Sequence, residues 1–170
     1  MRSIRTLLLG ILALIPLASF GGEQLYVQVP AVVDRAASIP NAIRSECGLE
    51  LLVGNHVLES VGKRFSSAVP TTANAEGGKF LKLTVVSAQG VGGGAWTGPK
   101  AMTVRADLFK NHKLIKSTVV QRHSMGGPLG GLRGTCAIME RIAVTLGEDI
   151  SIWLSTTLPP DGASAPTAKN

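Results

Sequence analysis

From Ala101 to Phe109 apolar and polar residues alternate without a break: Met102, Val104, Ala106 and Leu108 point one way, Thr103, Arg105 and Asp107 the other. Successive side chains of a strand lie on opposite faces, so the pattern describes a sheet buried on one side and wet on the other. Any helices in the chain must therefore cover the same face. Two further runs belong to this sheet. Lys79–Gln89 has Leu81, Leu83 and Val85 on one face, and Leu114–His123 is rich in β-branched residues. The turn Lys110-Asn111-His112-Lys113 is short enough to make a hairpin of its flanking strands. Residues 24–33 (QLYVQVPAVV) read as a first strand, with Pro30 at its end or at a bulge because proline cannot donate to a ladder.

Two stretches carry helical spacing. Between Arg133 and Leu154 the residues Cys136, Met139, Ala143, Leu146, Ile150 and Trp153 recur at intervals of three and four, which stacks them on one face. Ile138, Ile142 and Leu154 widen the stripe, Arg141, Glu148 and Ser151 fall outside it, and Thr135 is placed to cap the start. Leu49–Phe65 gives a second helix through Leu51, Val57, Leu58, Val61 and Phe65, weakened by Gly54 and Gly62. Residues 66–78 read as a polar loop.

The expected class is therefore α+β, in the order β-α-β-β-β-α, with one four-stranded mixed sheet and two helices on one face. A crossover makes the first two strands parallel, and two tight connections make the third antiparallel and the fourth parallel. Both helices then start from the same end of the sheet. Cys47 precedes the first and Cys136 opens the second, so the topology brings the two cysteines together.

Compartment supports a bond between them. Arg2 and Arg5, the apolar run Leu7–Leu17 and the small residues Ser19 and Gly21 follow the order of a secretory signal peptide, with cleavage near Gly21–Gly22. The apolar run is short for a membrane span, and no second one follows. No cysteine stands at the signal end to be acylated. Residues 1–21 are thus the signal, 22–156 a single domain, and 157–170, with Pro159, Pro160, Gly162 and Pro166, a disordered tail. In an exported chain two cysteines read as a Cys47–Cys136 disulfide. The net charge of +6 loses Arg2 and Arg5 on cleavage. The remaining mild basicity suits an anionic envelope surface and is too weak to argue for nucleic acid.

Motifs narrow the chemistry further. Gly90-Val91-Gly92-Gly93-Gly94-Ala95 can be laid on a dinucleotide fingerprint, but Pro99 and a strand follow where a helix is required. Gly98 is followed by Pro99 and not by the lysine of a phosphate loop. No cofactor is expected. The loop 125–134 does lead into a helix, and Gly130, Gly131 and Gly134 beside Arg133 could present backbone N–H groups to a small anion. The competing reading is that these glycines only turn the chain toward Cys136. His56, His112 and His123 are spread over a helix, a hairpin turn and a strand end, so no metal site is expected. Glu46 and Glu50, one helical turn apart, read as a solvated helix start. Trp96, alone in a glycine-rich loop, is suited either to anchoring a partner or to folding back over the helix ends.

The segment GTCAIMERIAVTLGEDISIWL, following a glycine-rich run and a three-strand meander, resembles uncharacterised small exported proteins of Gram-negative bacteria. The order of elements also resembles the amino-terminal domain of TolB and the periplasmic domain of the curli-secretion lipoprotein. That topological likeness transfers no site residues. The reading is a periplasmic or secreted, non-enzymatic binding or accessory module, with Trp96, Arg133, Gly130 and Gly131 as candidate binding residues and an envelope protein or anionic envelope component as partner. The alternatives are an enzyme, hydrolase-like, whose site no motif reveals, and a purely structural partner subunit.

Overall fold

A computed structural model describes residues 23–73, 77–90, 99–125 and 134–158. The class is the expected α+β, with two more short strands and one more helix than the sequence suggested. In order the elements are β1 (Leu25–Gln28), β2 (Val32–Val33), α1 (Asn41–Cys47), α2 (Leu49–Gly62), β3 (Ala68–Thr71), β4 (Lys79–Gln89), β5 (Lys100–Lys110), β6 (Lys113–Ser124) and α3 (Thr135–Thr157). The sheet runs β3-β1-β4-β5-β6, with β2 pairing to β4 beside β1. β1 is parallel to β4, and the β4–β5 and β5–β6 pairs are antiparallel, as the connections require.

The alternation in β5 resolves as expected. Met102, Val104, Ala106 and Leu108 are fully buried under the helices, beside Leu81, Leu83 and Val85 of β4. The hairpin turn places Asn111 and His112 at φ 49° and 62°, the pair of left-handed residues that a two-residue loop needs to match strand twist.

The expected first strand is divided. The Val29–Pro30 peptide is cis, and the ladder to β4 stops at Leu81 and resumes at Val32↔Thr84. Gln28 bridges the gap: its buried side-chain carbonyl accepts the Leu83 backbone N–H at 3.1 Å. A buried donor left without a partner costs about 1–3 kcal/mol, so Gln28→Leu is expected to lower stability by that amount in urea denaturation. An unchanged midpoint would show that Leu83 N–H finds another acceptor.

β3 lies within the stretch expected to be loop. It forms because β1 offers it a parallel edge, Leu25↔Ala68 through Gln28↔Thr71, and not because AVPT is a strong strand sequence. α1 ends at Cys47, and Gly48 at φ 56° turns the chain directly into α2. Glu46 and Glu50 are therefore on different helices, and Glu50 Oε1 accepts a hydrogen bond from Arg44 Nε at 2.9 Å.

The long helix packs as its stripe predicts, with Met139, Ala143, Leu146, Ile150 and Leu154 fully buried. Two details differ. Thr135 is the first helical residue and Gly134 takes the cap position, with no side-chain cap. Ser151, expected outside the stripe, is 1% exposed. Its Oγ accepts from Arg64 Nε at 3.1 Å and donates to the Glu148 carbonyl, because α3 buries one flank against the sheet and another against α2. The two helices run in the same direction, with His56 near Glu140 and Arg64 near Ser151. Among the described residues, no helix is long and apolar enough to cross a membrane.

Candidate functional site

β4 and β6 both end where β5 begins, since Gln89 pairs with Ala101 and Lys100 with Ser124. The roots of both glycine-rich loops therefore stand side by side. Cys47 and Cys136 meet at the same end: they form a disulfide with Cα atoms 5.1 Å apart, across a sequence separation of 89. Two helix starts, two loop roots and the bridge thus occupy one end of the sheet, as the sequence topology required. Trp96, Gly130, Gly131 and Arg133 lie on these loops, outside the described residues.

What the described residues add at this end is positive charge. A cleft of about 210 Å³ opens between the last residues of β6 and the first half of α3, lined by Arg122, His123, Ser124, Arg141, Ile142 and Thr145. Arg122 is held by Asp149: Nη2 donates to Oδ1 at 2.7 Å and Nε to Oδ2. Those hydrogen bonds and the carboxylate charge hold the guanidinium above its ordinary pKa and orient it in a planar fork. Lys100 is buried beside them, its alkyl chain lying where a Cβ on Gly90 would fall, 2.3 Å from Cδ. Gly90 also has φ 152°, so glycine is required there both for conformation and for room.

The cleft can hold a small anionic group. It presents two guanidinium groups, flanked by the hydroxyls of Ser124 and Thr145, and Asp149 offsets one of the charges. His123, paired with Ala101, lines the cleft from the strand and carries its side chain on the uncovered face. Neither Arg122 nor Arg141 stood out in the sequence, because one belongs to a strand and the other to a helix. Only the β6–α3 connection through the glycine loop brings them together.

The remaining surface is organised differently. A crevice of about 400 Å³ between the far halves of α2 and α3 is lined by Ser60, Lys63, Arg64, Glu148, Ser151 and Ile152. Its cations are already used, Arg64 by Ser151 and Lys63 by Glu59 at 2.8 Å. On the uncovered face of the sheet Arg105 reaches Asp107 at 3.2 Å and Asp34 at 3.8 Å, and Ser117 Oγ donates to Asp107. His56 is on α2, His112 in the turn between β5 and β6, and His123 near the other end of β6. Among the described residues no cluster of three or more His, Cys, Asp or Glu could hold a metal.

No family model matches the chain, and no curated relative matches it either. Solved structures do share its outline. A single-substitution form of the PelC dodecamer from Paraburkholderia phytofirmans is 13% identical, with a TM-score of 0.47 over 76% of this chain and 87% of that one. A protein from Xanthomonas campestris is 12% identical, TM-score 0.47, over 79% and 85%. A minor lipoprotein from Acinetobacter baumannii is 10% identical, TM-score 0.44, over 81% and 97%. All three come from Gram-negative bacteria. These are likenesses of shape, and no residue role passes from them to this chain.

Proposed function

We propose that the protein is an exported, non-enzymatic binding or accessory module of the bacterial envelope. Its contact surface is the glycine-loop end, and its partner an envelope protein or an anionic envelope component. The observation that carries this reading is the convergence at that end: Arg122 and Arg141 share one cleft beside the roots of both glycine-rich loops. The Cys47–Cys136 bridge fixes the helix starts beneath it, and such a bond persists in oxidising compartments. Trp96 and Arg133 belong in sequence to the two loops that leave this end, and we assign them to the contact as an aromatic anchor and a further cation.

Two measurements test the reading. Intact-mass analysis of periplasmic protein should show loss of about the first 21 residues; full-length chain in the cytosol would overturn the export. The oxidised mature protein should retain a partner from an envelope extract, or float with vesicles containing phosphatidylglycerol and not with phosphatidylcholine alone. Trp96→Ala combined with Arg133→Ala should weaken that binding at least tenfold. An unchanged affinity would place the contact elsewhere.

A further inference from the structure

β6 is a strand of twelve residues at the end of the strand order, and β5 occupies only one of its sides. Among the described residues no strand pairs with the other. The opposite edge of the sheet is a different object, since β3 has four residues and includes Pro70. Long bare edges are templates for strand addition, and proteins blunt them by shortness, proline or charge. β6 has neither of the first two. Its charges are all of one sign: Lys113, Lys116 and Arg122, with His112 and His123 near its ends and no Asp or Glu from 111 to 124. Between them stand Leu114, Ile115 and Val119, 50%, 48% and 60% exposed. An edge built only to repel other strands has no use for half-exposed apolar side chains.

The two chemistries fall on different faces. Lys116 pairs with Leu108 and Arg122 with Met102, on the side the helices cover; Leu114 pairs with Phe109 and Val119 with Arg105, on the uncovered side. Arg141 of α3 stands beside the end of the strand in the cleft it shares with Arg122 and Thr145. A strand laid along β6 would therefore meet Lys116 and Arg122 with one set of alternate side chains and, with the other, Leu114 and Val119 set among the polar Ser117, Gln121 and His123.

We infer that β6 is a docking edge for an acidic extended segment of a partner protein, added as a further strand. Main-chain hydrogen bonds to the bare edge supply the attachment, and the alternating side chains supply the choice of partner. Acidic residues on the helix side face Lys116 and, toward the end of the strand, the cations Arg122 and Arg141; apolar residues on the other side cover Leu114 and Val119. Charge argues against a second copy of this chain. A two-fold pairing centred on Val119, where the apolar contact is best, sets Lys116 opposite Arg122 of the other copy, and like charges directly opposite are destabilising. The inference is separate from the roles of Trp96 and Arg133 and stands if those prove silent.

The test uses the oxidised mature protein and a labelled ten-residue peptide alternating Glu and Val, followed by fluorescence anisotropy. The peptide should bind, a Lys/Val peptide should not, and N-methylation of alternate amides should weaken binding at least tenfold. Lys116→Glu with Arg141→Glu should weaken the Glu/Val peptide at least tenfold and admit the Lys/Val peptide. Equal binding of the N-methylated peptide would reduce the contact to simple charge attraction and overturn strand addition. No binding at millimolar peptide would overturn the docking edge itself. Sedimentation showing a dimer that Val119→Lys abolishes would make the occupant a second copy and overturn the acidic partner.

Discussion

Reducing the Cys47–Cys136 bridge is expected to lower the melting temperature by on the order of 15 °C. The bond closes a loop across a separation of 89 residues. In the chain-entropy account such a loop removes unfolded-state freedom equivalent to about 4–5 kcal/mol at room temperature. That is a large part of the roughly 5–15 kcal/mol by which a domain of this size is stable. One kcal/mol shifts the melting point of such a domain by about 3–4 °C, which gives the stated figure. Cys47→Ser and Cys136→Ser should match each other and match the double variant, since either substitution removes the whole constraint. The loosening should begin locally. α1 has seven residues and no side-chain cap, and the bridge at its last residue ties it to the start of α3, so its amides should lose exchange protection first. Two titratable thiols in the native exported protein would sink the prediction.

The bridge also shows which parts of the fold could be read from the sequence. Strict alternation in residues 101–109 and the three-four spacing from Cys136 to Trp153 are local patterns, repeated often enough to fix a period. Period gives the buried face, the face gives the layers, and short connections give strand direction. From there the meeting of Cys47 and Cys136 follows without any side-chain geometry. β2 and β3 have two and four residues, too few to express a period, and they are strands only because β4 and β1 hold them. α1 was hidden for a related reason: seven residues between Pro40 and Gly48 hold less than two full turns.

Ser151 and Arg122 were misread or missed for a second reason. A single stripe assumes that a helix buries one face, whereas α3 is buried against both β-strands and α2, and the added flank includes Ser151. The Arg122–Asp149 pair joins residues 27 apart in sequence, one on a strand and one on a helix. No local signal reports such a pair, so the cationic cleft at the glycine-loop end became visible only with the chain folded. The loops were legible as candidates, and the charges beside them were not.

The spacing between α2 and α3 rests on one glycine, and replacing it should be the most damaging single-atom addition to the helices. A Cβ on Gly147 would stand 2.6 Å from the His56 carbonyl oxygen, 2.9 Å from Ser60 Oγ and 3.0 Å from the His56 carbonyl carbon. The first and last of these are backbone atoms, which cannot swing aside as a side chain would. Helix propensity alone favours alanine over glycine by about 1 kcal/mol, so the sign of Gly147→Ala depends on whether the clash exceeds that gain. Overpacking a close contact costs about 1–3 kcal/mol, and here the helices themselves must part. Gly147→Ala is therefore expected to destabilise on balance, and Gly147→Val by several kcal/mol more, as branching adds bulk in the same place and lowers helix propensity. Gly62 provides the internal contrast. It closes α2 with nothing within 4 Å of its would-be Cβ, so Gly62→Ala should stabilise by up to about 1 kcal/mol. Chemical denaturation of the two alanine variants should thus give opposite signs for the same substitution in two neighbouring helices. A Gly147→Ala protein as stable as its parent would mean that the helices can separate freely. The effect should also reach the candidate site. Asp149 lies two residues beyond Gly147, so a displaced α3 carries the Arg122 partner with it and distorts the cleft. Binding at the glycine-loop end should then weaken in Gly147→Ala even under conditions where the protein remains folded.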